Sequence, residues 1–204
     1  MRGLYAITPD WADTPRLLAA CEAALIGGAS ILQYRNKVAD AALQREQSAA
    51  LCALTHRYGA TFIINDDLEL ALAVDADGVH LGGDDGDLAA ARARLPAGKL
   101  LGASCYNRFE LAENAVAAGA NYIAFGAVFP SGTKPNAVRA SLELFDAAKS
   151  LGVPSVAIGG INPLNAADVV AAGADCIAVI GALFESADVA ETARQFAALF
   201  HVKR

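Results

Sequence analysis

No two of the four cysteines, Cys21, Cys52, Cys105 and Cys176, stand in a CxxC pair. That spacing excludes the common zinc and dithiol motifs and argues against a disulfide frame. Reduced, mostly buried thiols in a cytoplasmic protein are expected instead. A basic run is missing too: 16 Lys and Arg stand against 22 Asp and Glu, for a formal net charge of −6. Nucleic acid and anionic membrane surfaces suit such a chain poorly as partners, so any anion site must be built locally. Nor is there an unbroken apolar run of membrane-spanning length. The longest stretches, about 115–130 and 169–184, are interrupted by Asn121, Asp175 and several glycines. Each reads as a helix end, a turn and a buried strand. The first strand begins by about Leu4, which leaves no room for a signal peptide. Finally, no Ser/His/Asp or Cys/His arrangement is visible. His56 falls late in a helix, His80 inside an apolar strand and His201 in the tail, where satisfied core or surface roles are expected.

What the chain does have is apolar mass: 55% hydrophobic and 19% charged over 204 residues, enough for large buried layers without a staple. A small unit recurs as Gly27-Gly28-Ala29-Ser30-Ile31, Ala118-Gly119-Ala120-Asn121-Tyr122 and Ala172-Gly173-Ala174-Asp175-Cys176, with Asp77-Gly78-Val79 as a shorter form. Each ends an Ala-rich helical run and enters an apolar strand, as a string of βα units does. Strands are predicted near 4–8, 31–35, 61–65, 78–82, 100–104, 122–128, 155–160 and 176–180, with helical stripes between them. One such stripe is Leu43, Ala50, Leu51 and Leu54. Most strands are continuous apolar runs, as when both faces are covered. The expectation is an α/β fold with a single (β/α)8 barrel domain over 1–204. A doubly wound sheet is the rival, but Thr8-Pro9-Asp10 stands where it would usually carry a glycine fingerprint.

The catalytic face of such a barrel lies at the C-terminal strand ends, and that is where the polar chemistry collects. Gln33, Arg35 and Lys37 follow Ile31-Leu32 at a spacing of two, so they share a strand face while Tyr34 points the other way. An amide and two cations on a buried face are costly without an anionic partner, although an exposed edge strand would also accommodate them. Asn65-Asp66-Asp67 end the third strand, Gly83-Asp84-Asp85 follow the fourth, and Ser104 ends the fifth. Ser131-Gly132-Thr133-Lys134 follow the sixth, Gly159-Gly160 the seventh, and Ile180-Gly181-Ala182 the eighth.

Asp66 and Asp85 suit Mg²⁺, which takes one or two carboxylates plus substrate phosphates; Asp67 and Asp84 suit helix caps. A diphosphate of roughly −3 charge would be balanced by Mg²⁺, Arg35, Lys37 and Lys134, about +5, against two carboxylates. Gly160 with the backbone at Ile180 and Gly181 forms a second candidate anion site, in the habitual phosphate position of this fold. A tight turn would use the glycines equally well.

In order, Leu4-Tyr5-Ala6-Ile7-Thr8-Pro9, Gln33-x-Arg35-x-Lys37, Asn65-Asp66-Asp67, Gly78-Val79-His80-Leu81-Gly82, Gly102-x-Ser104, Gly126-x-Val128-Phe129-Pro130-Ser131-x-Thr133-Lys134 and Ala157-Ile158-Gly159-Gly160-Ile161 resemble the thiamine-phosphate synthase family. The resemblance spans nearly the whole chain. It implies a barrel enzyme, a transferase that joins hydroxymethylpyrimidine diphosphate to a (carboxy)thiazole phosphate with Mg²⁺, releasing pyrophosphate. By position it gives the pyrimidine diphosphate to Gln33, Tyr34, Arg35, Asn36, Lys37, Asn65, Ser104 and Lys134. Of these, Arg35, Lys37, Ser104 and Lys134 are the catalytic set. Asp66 and Asp85 take the metal, and Ser131, Gly132, Thr133, Gly160, Ile180 and Gly181 the thiazole phosphate. Small-molecule partners are implied and a homodimer is left open. The chain departs from the common pattern at Gly83, Tyr106, Ser131 and Gly181. A thiazole tautomerase, a sugar-phosphate epimerase and a phosphate-sensing barrel are the competing readings.

Overall fold

Side chains along a strand alternate between two faces, and in this chain both faces are buried. In the computed structural model, which describes residues 1–82, 86–130 and 138–200, the strands are β1 (Gly3–Ile7), β2 (Ala29–Tyr34), β3 (Thr61–Asn65), β4 (Gly78–Leu81), β5 (Leu100–Tyr106), β6 (Tyr122–Gly126), β7 (Ser155–Ile158) and β8 (Cys176–Val179). All pair in parallel, in sequence order, and β8 closes on β1. One set of alternating residues, including Tyr5, Ile31, Ile63, Tyr122, Val156 and Cys176, fills the barrel interior. The other, including Leu4, Leu32, Phe62, Val79, Leu101, Phe125 and Ile177, packs outward against the helices. The expected (β/α)8 barrel is therefore the fold, and all four cysteines are free and buried in it.

The surrounding helices are α1 (Thr14–Ile26), α2 (Ala41–Arg57), α3 (Leu68–Ala73), α4 (Leu88–Arg94), α5 (Phe109–Ala117), α6 (Glu143–Ala147), α7 (Ala166–Ala171), α8 (Gly181–Phe184) and α9 (Val189–Ala198). Aspartates set several starts: Asp13, Asp40, Asp67, Asp87 and Asp188 each accept a backbone N–H from the first turn. Asp67 is thus the cap expected of it. Among the described residues no helix is long and apolar enough to cross a membrane.

The recurring sequence unit has a structural purpose beyond stopping helices. Its last polar residue clamps the preceding strand at the N-terminal end of the barrel. Asp77 accepts the Phe62 N–H at 2.7 Å, Asn121 that of Leu101 at 2.8 Å, and Asp175 that of Ser155 at 2.9 Å. In β2, Ser30 donates instead, to the carbonyls of Arg2 and Leu4. Every even-numbered strand is tied in this way to its predecessor, so the polar residues at this end serve stability.

Candidate active site

β2 ends one residue earlier than the sequence pattern suggests, and the reason lies in Thr8, just past β1. Its buried hydroxyl accepts the Arg35 N–H and donates to the Arg35 carbonyl, both at 2.8 Å. That takes Arg35 out of the strand ladder. Gln33 alone of the three projects from the strand into the barrel; Arg35 and Lys37 ride on the loop that follows. The expectation of one shared strand face is corrected to this extent. β6 likewise stops at Gly126, two residues short of the expected end.

Asp10, also in the first loop, holds the cationic pair in place. Its carboxylate accepts Arg35 Nη1 at 3.0 and 3.1 Å and the Lys37 backbone N–H at 2.8 Å. Asp10 therefore adds a negative charge that the balance of Mg²⁺, cations and carboxylates did not contain. Gln47, buried on α2, completes the frame. It accepts from the Tyr34 hydroxyl at 2.9 Å and from Asn36 Nδ2 at 3.1 Å, and donates to the Trp11 carbonyl at 3.0 Å. Tyr34 and Asn36 were expected among the diphosphate contacts, but their side chains are committed to this frame. The Tyr34 phenol is buried among the outward-packing apolar residues, and burial pushes its pKa up to about 12. Both residues also line the rim cavity. Trp11 itself lies edge-on against Phe184 of α8 and under the Arg16 guanidinium, so it braces the first loop against the last.

Arg35, Lys37, Asn65 and Asp66 line a common cavity of about 520 Å³ between the loops after β2 and β3. Asp66 has φ of 64°, a left-handed backbone conformation that few residues other than Gly, Asn and Asp adopt. Its N–H is bonded to the His80 carbonyl at 2.8 Å. Ser104 is reached from the interior side of β5, which runs two residues past it to Tyr106 instead of ending there as expected, with a register irregularity between the two. The adjacent Cys105 points outward, is fully buried, and has its thiol pushed up to about 12 by burial. It has no part in the site.

On the other side of the rim, Gly159 and Gly160 have φ of 102° and 65°. A side chain at Gly160 would collide with the Phe129–Pro130 backbone after β6, its Cβ lying 2.8 Å from the Phe129 carbonyl carbon. Gly160 therefore seats the sixth loop as well as any anion. α8 begins at Gly181, directly after Ile180. Asp85, Ser131, Gly132, Thr133 and Lys134 lie outside the described residues, as do Gly83, Asp84 and His201.

Composition and motif reading missed the interior of the barrel. His80 is 8% exposed and bonded on both ring nitrogens: Nδ1 to the Tyr122 hydroxyl at 3.1 Å and Nε2 to Ser104 Oγ at 2.9 Å. Tyr122 shares a hydrogen bond with Tyr5 at 2.9 Å, and Gln33 Nε2 donates to Tyr5 at 2.8 Å. Burial raises both phenol pKa values, so each keeps its proton. Five polar groups from β2, β1, β6, β4 and β5 form one chain across the barrel floor. The signals were in the sequence: Tyr5, Gln33, His80, Ser104 and Tyr122 all fall at inward positions of their strands. Gln47 sits in the middle of the apolar α2 stripe.

Among the described residues no group of three His, Cys, Asp or Glu stands ready for a metal. Mg²⁺ takes few carboxylates and relies on substrate phosphates and water. Asp66, half-buried beside two cations and an amide in an oxygen-rich cavity, fits such a role.

Comparison with known proteins points the same way. Residues 4–183 match the family described as thiamine monophosphate synthase. The thiamine-phosphate synthase of Methylobacillus flagellatus is 57% identical over 201 residues, covering 98% of this chain and 96% of that protein. That of Chromobacterium violaceum is 58% identical over 200 residues, covering 98% and 97%. The solved structure of thiamine phosphate pyrophosphorylase from Pyrococcus furiosus superposes with a TM-score of 0.85 at 37% identity, over 97% of this chain and 95% of that one.

Proposed function

The chain belongs to the thiamine monophosphate synthase family, and from that premise we propose how its rim is used. The protein is a transferase: it condenses hydroxymethylpyrimidine diphosphate with a thiazole phosphate, giving thiamine monophosphate and pyrophosphate. One observation carries the assignment of the site: Arg35, Lys37, Asn65 and Asp66 line one cavity at the C-terminal rim, beside an interior that presents Gln33 and Ser104. Gln33 receives the pyrimidine ring. Arg35, Lys37, Asn65, Ser104 and Lys134 hold the diphosphate. The thiazole phosphate rests on Ser131, Gly132 and Thr133, on Gly160, and on the backbone at Ile180 and Gly181.

Asp66 and Asp85 would hold Mg²⁺, which would supply positive charge to the departing diphosphate. The chain's own cations do the rest. Negative charge grows on the leaving oxygens as the carbon–oxygen bond breaks, and fixed guanidinium and ammonium groups are worth most at that moment. The thiazole nitrogen then captures the pyrimidinyl-methyl cation, a step that needs alignment and exclusion of water but no protein nucleophile. This accounts for a site rich in donors and without a triad. The whole chain acts as one catalytic domain in the cytoplasm, on small phosphorylated heterocycles and without nucleic acid.

The test is pyrophosphate release by the purified protein. Release is expected only with both phosphorylated heterocycles and Mg²⁺ present. Thiazole phosphate binding without coupling would replace this reading with a tautomerase.

A further inference from the structure

We infer that the buried chain Gln33–Tyr5–Tyr122–His80–Ser104 is a one-way hydrogen-bond relay that holds His80 as its Nε2–H tautomer. It thereby keeps the Ser104 hydroxyl pointing its proton into the site. The inference concerns three residues outside the substrate contacts, and its link to diphosphate rests on the function proposed above.

The direction follows from counting protons. Gln33 Nε2 donates to Tyr5 at 2.8 Å. The Tyr5 oxygen has then accepted one bond, and its own proton has one destination among the described residues, the Tyr122 oxygen at 2.9 Å. Tyr122, accepting from Tyr5, passes its proton to His80 Nδ1 at 3.1 Å. A ring that accepts at Nδ1 carries its proton on Nε2, and Nε2 lies 2.9 Å from Ser104 Oγ. Ser104 accepts that bond, so its own proton faces outward. With Gln33 Nε2 as the donor, reversing the Tyr5–Tyr122 or the Tyr122–His80 link leaves a proton of a fully buried phenol without an acceptor, and reversing the last link leaves the imidazole without a proton, whereas no buried polar side-chain atom lacks a partner among the described residues. Stacking of His80 on Tyr122, 5.5 Å between centroids at 27°, holds both rings in register.

The two ends of the relay become complementary. Ser104 is a donor, which suits a diphosphate, since diphosphate oxygens only accept. Gln33, with one of its two N–H groups on Tyr5, has its carbonyl left to offer, which suits a heterocycle bearing an N–H or amino donor. Opposite polarity would present an acceptor to the diphosphate and a donor to the ring. Tyr122 and His80 are thus positioning residues that set the sign of the Ser104 contact, and Tyr5 is one that orients the Gln33 amide.

The first test needs no substrate. In protein labelled with ¹⁵N-histidine, two-bond ¹⁵N–¹H correlation spectra distinguish the tautomers, and the signals absent from His80→Gln identify His80. The Nε2–H form is expected at neutral pH. An Nδ1–H ring or an imidazolium would overturn the relay. The second test uses inorganic pyrophosphate as the probe, with Mg²⁺, by calorimetry. Ser104→Ala and Tyr122→Phe are each expected to weaken it about tenfold, the worth of one hydrogen bond to a charged group. The double variant should be no weaker than Ser104→Ala. Additive losses would make Tyr122 merely structural and overturn the proposal. Tyr5→Phe cuts the relay upstream of the Tyr122-to-His80 link, so the tautomer should persist. Loss of the Nε2–H form in that variant would contradict the direction argued here. If wild-type protein binds no pyrophosphate, the function reading fails, while the tautomer result still decides the relay.

Discussion

Gly102→Ala is the perturbation whose size the structure sets most directly. Gly102 on β5 and Tyr122 on β6 are paired across the sheet and both face the barrel interior. A methyl group at Gly102 would fall on Cζ and the hydroxyl of Tyr122. The ring is fully buried, stacked on His80 and hydrogen-bonded to Tyr5 and His80. It has no vacant side to move into. Overpacking of this kind costs about 1–3 kcal/mol. Displacing the hydroxyl strands a Tyr5 proton and a His80 nitrogen, each at about 1–3 kcal/mol when buried. Relief of glycine's backbone entropy returns about 0.5–1 kcal/mol. Allowing for partial relaxation, the net loss is about 2–5 kcal/mol, a large share of the roughly 5–15 kcal/mol that stabilises a domain. Urea unfolding measures it from the shift in midpoint at constant slope. The same change on a Tyr122→Leu background should cost less than about 1 kcal/mol, because the overlapping atoms are gone. A wild-type loss below about 0.5 kcal/mol, the level of an ordinary surface substitution, would refute the packing argument and the rigidity assigned to the relay.

Three further outcomes follow from the same geometry. Asp10→Asn keeps an acceptor for the Lys37 N–H but loses the ion pair to Arg35; KM for the pyrimidine diphosphate should rise about tenfold with kcat nearly unchanged, and a fall in KM would mean that Asp10 competes with substrate rather than positions Arg35. Asp66→Ala should raise the Mg²⁺ concentration needed for half-maximal activity at least tenfold while leaving the urea midpoint in place; an unchanged magnesium requirement would remove it from the metal shell. Asp175→Ala strips the acceptor from the Ser155 N–H at the opposite end of the barrel and should cost about 1–3 kcal/mol of stability without altering kcat, which a combined unfolding and steady-state measurement would check.

Gly160 shows how tertiary contact changes the meaning of a motif. From sequence, Gly159-Gly160 suggests an anion cradle that a larger side chain would crowd. In the fold, the same residue lies against Phe129 and Pro130, which lead into the loop bearing Ser131 to Lys134. A Gly160 substitution would therefore disturb the chain at Phe129 and Pro130 as well as crowd an anion.

The sequence by itself determined the barrel. Strand length, continuous apolar runs and a repeated helix-to-strand unit are local signals, and strands buried on both faces with helical crossovers have few other ways to pair. It also gathered the candidate polar residues at one rim, because Gln33, Asn65 and Asp66 fall at strand C-termini and Ser104 close to one, whatever their neighbours are. What only the tertiary structure decided is who touches whom. Thr8, Asp10 and Gln47 hold the Arg35–Lys37 loop from as far as 27 residues away in sequence, and Tyr5 meets Tyr122 across 117 residues. Hydrogen bonds of that kind have no period and leave no spacing to read. They arise because barrel closure brings inward-facing polar residues from separate strands to one axis, where burial obliges each to find a partner. His80 looks like an ordinary core residue until that closure puts a phenol on one nitrogen and a serine on the other.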